Sequence, residues 1–310
     1  MNCACVMIVV LASAEMVVAQ DESAIAARHA VGAAALREGR YEDAARAFSD
    51  AIRDAEAAFR APALELAREL SGLGETYRHL GRRNESIACF ARALRVEEQV
   101  WGAEHAELAP TVLRLAEAHH HDGDGEAAEA LFLRWRSLSA QSRATGPEAE
   151  CQVLRSLAEI RATSGRLDEA EHDSRSCLAL KESAWGGDSL DVAWEATAIG
   201  DFLRIHGRSG GAEELYRRAL AIIERAGPSL IVERAEQLDR LARIHIEREN
   251  FDTAETLYRQ VVALLQGFLG PNHLGTAAAM EKHARVLREI GRVDEAVELE
   301  ESARAIHGRQ

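Results

Sequence analysis

One short stretch of this chain returns at a fixed interval, and that interval limits the folds open to it. Gly39, in Gly39-Arg40-Tyr41-Glu42-Asp43-Ala44-Ala45, recurs on a 42-residue step as Gly81, Gly123, Gly165, Gly207 and Gly291, with Glu249 in the remaining place. Five residues after it stands a small residue in every copy: Ala44, Ser86, Ala128, Ala170, Ala212, Ala254 and Ala296. Four residues further an aromatic stands in five of the seven copies: Phe48, Phe90, Phe132, Tyr216 and Tyr258. Seven residues before the turn position comes another small residue: Gly32, Gly74, Ala116, Ala158, Gly200, Ala242 and Ala284. Columns held in step over seven copies define a repeat array, in which each unit buries its apolar face on its neighbours.

The frame runs 25–66, 67–108, 109–150, 151–192, 193–234, 235–276 and 277–310, so residues 24–310 read as one array. Each copy predicts a first helix, a tight turn at the glycine, a second helix and a connecting loop. In the second copy Leu70, Leu73, Gly74 and Tyr77 form one apolar stripe at helical spacing. Gly81 is suited to a left-handed helix stop. Gly74 and Ser86 are expected where the two helices cross, with Phe90 filling space further along. Trp101-Gly102, Trp185-Gly186 and Leu269-Gly270-Pro271-Asn272-His273 close alternate copies with a helix stop and a turn. An array has no fixed size, so the 310-residue length does not impose two globular domains. Hydrophobic residues make up 47% but aromatics only 5%, which suits helices packed closely through alanine. Five prolines leave long stretches free to be helical.

The net charge of −14 weighs against a nucleic-acid partner, which requires clustered Lys and Arg, and accounts for solubility. The cysteines are Cys3, Cys5, Cys89, Cys151 and Cys177. They show neither a CxxC pair nor a His/Cys metal spacing. Cys89 and Cys177 fall on second-helix columns expected to be buried, and no spacing demands a disulfide. Residues 1–23 differ in character from the array. Ala4 to Ala12 is apolar but too short to span a membrane. It is followed by Ala12-Ser13-Ala14 and Val17-Val18-Ala19, which resemble cleavage sites of a secretory leader, although no Lys or Arg precedes Arg28. Export to a periplasmic or extracellular space follows if this is a leader, and a cytoplasmic location otherwise.

No phosphate loop, nucleophile elbow or HExxH motif is present, so no catalytic residue and no cofactor is expected. His119-His120-His121-Asp122 invites a metal reading. Consecutive helix positions diverge by about 100°, however, so His120 and His121 do not share one ion readily.

The column order small–Tyr–Gly–Ala–aromatic–Ala, including Ala51, Ala93, Ala219 and Ala303, resembles the tetratricopeptide repeat. The 42-residue period and the Leu-Gly-Pro-Asn-His loop at 269–273 resemble its kinesin-light-chain type. The resemblance implies an all-α, right-handed superhelix of helical hairpins, with a concave groove lined by the first helices. It further implies a non-enzymatic scaffold that binds a peptide or partner protein. The kinesin light chains carry Asn ten and nine residues before the turn glycine. Here those columns read His29, Ser71, Leu113, Arg155, Thr197, Asp239, Glu281 and Ala30, Gly72, Arg114, Ser156, Ala198, Arg240, Lys282, so the cargo chemistry is not carried over.

The family pattern turns the positions six, three and two before the glycine into the groove. The first of these columns places Glu75, Glu117, Glu159 and Asp201 ahead of Arg243 and Arg285. The others contribute Arg78, His120, Arg204 and Arg288, with His79 and His121. This predicts a groove that is acidic first and basic later, complementary to a partner with a basic segment. Trp194 falls at its edge, where it can anchor a partner or pack on the Trp185 loop. The last copy ends without an extra polar helix after Ile306, which leaves self-association through the C-terminal repeat as the alternative.

Overall fold

The structure, a computed structural model, describes residues 23–58, 63–141 and 146–309. The leader expected over 1–23, with Cys3 and Cys5, lies outside these residues except for Ser23. The described residues hold fourteen α-helices and no strand. The chain divides after Gly146 into two compact units. The first contains α1 (23–37), α2 (Tyr41–Ala58), α3 (Leu64–His79), α4 (Arg83–Trp101), α5 (Ala109–Asp122) and α6 (Gly125–Ser139). The second contains α7 (Pro147–Thr163), α8 (Leu167–Trp185), α9 (Leu190–Ile205), α10 (Ser209–Ala226), α11 (Ile231–Glu247), α12 (Phe251–Leu269), α13 (Leu274–Glu289) and α14 (Val293–His307). Each odd-numbered helix forms a hairpin with the even-numbered helix after it. Among the described residues no helix is long and apolar enough to cross a membrane.

The turn column makes the hairpins. Its six glycines have φ between 72° and 88°, and Glu249 takes the same left-handed place at φ 57°. The residue after each donates its N–H to the carbonyl five residues back, as Arg82 does to Tyr77 at 2.9 Å and Asn250 to His245 at 2.8 Å. This bond satisfies a carbonyl that the ending helix leaves free and reverses the chain within two residues.

The small columns set how closely the two helices approach. The six alanines five residues after the turn position are fully buried, and Ser86 is nearly so. Ser86 Oγ donates to the Gly74 carbonyl at 2.8 Å, which ties the helices at their crossing. Phe90 lies on Gly74 itself rather than further along the hairpin. A Cβ at Gly74 would come within 2.9 Å of its ring, and one at Gly200 within 2.6 Å of the Tyr216 ring. At Gly32, Gly74 and Gly200 the aromatic side chain thus packs directly on the small residue of its own first helix.

Cys151 and Cys177 form a disulfide across the α7–α8 hairpin, with Cα atoms 4.7 Å apart. The sequence spacing gave no sign of it, because the two residues stand on facing columns of different helices. Cys89 is a free thiol, and burial pushes its pKa up to about 11.

Candidate functional site

In the first unit the predicted site residues gather on α3 and α5. Arg78 Nε donates to Glu75 at 3.0 Å, and His79 approaches the same carboxylate at 3.3 Å. The Arg78 guanidinium holds the Glu75 carboxyl below its ordinary range, and Glu75 in turn raises Arg78. The His79 ring stacks on Tyr41, centroids 4.8 Å apart. Glu117, one repeat on, is half-buried. Burial raises its carboxyl, against the pull of Arg78, His121 and Arg114. His120 sets its ring edge against the buried Phe132 at 6.2 Å, while His121 is exposed beside Arg78 in a cleft of about 270 Å³. His119 meets Asp124 at 3.2 Å. Among the described residues no three His, Cys, Asp or Glu side chains come together as a metal site.

In the second unit Glu159 is exposed on α7. Asp201 accepts from the Tyr216 hydroxyl at 2.7 Å and from Arg240 at 3.3 Å. Arg204 is half-buried and donates to Glu247 at 2.9 Å. Arg288 pairs with Glu300 on α14 at 2.8 Å. Arg243 and Arg285 are exposed and form no ion pair among the described residues. Both line a cleft of about 710 Å³ with Tyr258, Lys282 and Glu289. Burial and the Asp239 carboxylate push the Tyr258 hydroxyl far up, and the two arginines pull it back, so both reach it electrostatically. Lys282 is held by Asp239 at 2.7 Å. Trp194 and Trp185 are 41% and 40% exposed and make no ring contact with each other; Lys181 instead lies over the Trp185 ring at 5.9 Å.

The columns that depart from the kinesin light chains have a different use here. At three places the residue ten before the turn position meets the residue twelve before the next one. His29 meets Glu69 at 2.8 Å, Arg155 meets Glu195 at 2.7 Å, and Thr197 Oγ1 meets Gln237 at 3.2 Å. At these three places the column supplies a polar rung between successive repeats. Two residues sixteen after the turn, Lys181 and Glu97, add contacts from the second helices, where the same column at the other junctions holds Ala55, Ser139, Ile223 and Leu265. Lys181 bonds Glu195 at 3.1 Å, and Glu97 accepts from Thr111 Oγ1 at 3.0 Å. Reading only the first-helix columns overlooks Glu97, Trp101 and Tyr258. Trp101 and Tyr258 stand on recurring second-helix columns and were readable there, whereas the column of Glu97 holds Ala55, Ser139, Lys181, Ile223 and Leu265 at the other junctions and gave no such signal.

The family model for the tetratricopeptide repeat matches residues 63–146 and 234–307. A solved structure of a Podosopora anserina protein, described as a kinesin light chain with nearly identical TPR-like repeats, is similar over 67% of this chain and 98% of its own. Its identity is 22% and the TM-score 0.52. BtubC (BKLC) from P. vanneervenii is similar over 74% of this chain and 91% of its own, at 18% identity and TM-score 0.51. No curated protein matches the sequence. At these identities the solved structures establish the fold alone.

Proposed function

This chain belongs to the tetratricopeptide repeat family, and from that premise we propose that it is a non-enzymatic scaffold holding a peptide or partner protein against the first helices of its hairpins. Fold alone does not select a ligand, so the reading rests on the side chains that the hairpins present. One observation carries it. Arg243 and Arg285, a repeat apart, line one cleft around Tyr258 and form no ion pair among the described residues. Arginines left unpaired in a concave surface are available to carboxylates in charge-assisted, two-pronged hydrogen bonds. Most of the other charges in the predicted row already have partners within the chain: Glu75, Asp201, Arg204 and Arg288. In the first unit Glu117 remains as the acidic candidate, and in the second Arg243 and Arg285 are the basic ones.

Fluorescence anisotropy with a labelled acidic peptide tests the basic face. Binding that falls with salt and is lost in Arg243→Gln/Arg285→Gln, at unchanged melting temperature, supports the reading. Equal binding by that double variant overturns it. The disulfide supports an oxidising compartment, in keeping with a secretory leader. Mass spectrometry of the mature protein under non-reducing conditions checks both points.

A further inference from the structure

Two junctions between repeats each hold a buried carboxylate among the same three columns, and only one of them gives it cations as ion-pair partners. Where the fourth repeat meets the fifth, Arg155 and Lys181 converge on the buried carboxylate of Glu195, at 2.7 and 3.1 Å. The same three columns where the second repeat meets the third hold Ser71, Glu97 and Thr111. A carboxylate therefore stands in the lysine's place, a hydroxyl in the glutamate's, and a serine in the arginine's. Thr111 satisfies Oε1 of Glu97 at 3.0 Å, while Oε2 is buried with no hydrogen-bond partner. Glu97 is 9% exposed, yet it lines an open cleft of about 580 Å³ together with Ser71, Thr111 and Trp101. Arg114 lines the same cleft and acts on Glu97 through space, but among the described residues the two form no ion pair.

A buried carboxylate oxygen without a donor is costly in a folded protein. At the homologous junction the chain supplies two cations of its own. Here Arg68 and Arg114 line the cleft, but neither forms an ion pair with Glu97, and the space beside the carboxylate is open. Trp101 lies one helical turn beyond Glu97 on α4 and therefore on the same helix face. Its ring stacks on His105 with centroids 5.7 Å apart, which fixes it at the cleft. An aromatic wall beside a buried carboxylate is complementary to an alkyl stem ending in a positive charge.

We propose that this cleft of the first unit binds a cationic side chain of a partner peptide, with Glu97 receiving the guanidinium or ammonium head and Trp101 packing on its stem. The proposal deepens the scaffold reading above and rests on it for the identity of the ligand as a peptide. It assigns a basic residue to the first unit, independently of the acidic residues expected at Arg243 and Arg285.

Isothermal titration of the full chain with N-acetyl-arginine amide, N-acetyl-lysine amide and the neutral isostere N-acetyl-citrulline amide tests it. Saturable binding of a cationic probe is expected, with citrulline weaker by about tenfold or more. Glu97→Gln should weaken the cationic probe by about the same factor while its melting temperature stays no lower than the parent's. Ser71→Arg provides a second arm. It places an arginine where Arg155 stands at the homologous junction, so it should raise the melting temperature and abolish probe binding. Equal binding of citrulline, unaltered binding by Glu97→Gln, or failure of both cationic probes to bind overturns the site. A chain that binds a basic peptide with no effect of Glu97→Gln loses this site and keeps the scaffold reading. A chain that binds the arginine amide at Glu97 but no peptide keeps the site and loses the scaffold reading.

Discussion

Glu249 is the one non-glycine residue in the turn column, and its φ of 57° sets a side chain where Cβ crowds the backbone. Glu249→Gly should raise stability by up to about 1 kcal/mol, the relief of that strain exceeding the entropy glycine adds to the unfolded chain; a thermal melt checks it, and a lower melting temperature would show that Glu249 is held by something stronger. Ala212 offers the opposite case. It is fully buried where α9 and α10 cross, so Ala212→Leu should cost roughly 1–3 kcal/mol or more. Arg204→Ala removes one ion pair, with Glu247, and should cost about 1 kcal/mol or less. Melts that rank these two the other way contradict the packing described for the fifth repeat. The residues that sterics dictates were legible in the sequence, because a left-handed turn or a close helix crossing admits few side chains. Glu97 was not legible in that way. Its meaning comes from the buried, unpartnered oxygen beside an open cleft, which only the folded junction shows.

At the scale of the helices, two imidazoles tie stability to pH. His245 on α11 and His283 on α13 are both buried, and burial outweighs the nearby carboxylates of Glu213 and Glu255 in holding their pKa values below the ordinary range. The unfolded chain binds protons at these positions from about pH 6.5 downward, while the folded chain resists them. Their contribution is therefore present above about pH 6.5 and lost as the pH falls through the folded values. The melting temperature of the full chain should decline between pH 7 and 5.5, with a shallower slope in His283→Gln; an unchanged slope in that variant removes His283 from the account. The hairpin pattern itself was readable from four columns. The Cys151–Cys177 disulfide was not, since each column contains a single cysteine and only the folded α7–α8 hairpin sets them face to face.

On the scale of the whole chain, Glu117→Gln should weaken a basic peptide at low salt while leaving the helical signal and melting temperature nearly unchanged; binding equal to the parent's would make this acid a solvated side chain and nothing more. Static light scattering over a concentration series separates a simple binder, whose mass stays constant, from a chain that assembles through its last repeat. The polar rungs between repeats carry a further consequence. Tandem repeats arise by duplication and can in principle be shuffled or deleted, yet here the rungs encode the order of the copies. Deleting residues 235–276 would set Thr197 against Ala279 in place of Gln237, a loss of one hydrogen bond. Deleting residues 193–234 would instead bring Gln237 up to Arg155 and Lys181, two cations facing an amide with their carboxylate gone. Two excisions of equal length should thus differ sharply in the stability of what remains, and the array reads as a sentence whose words cannot be exchanged.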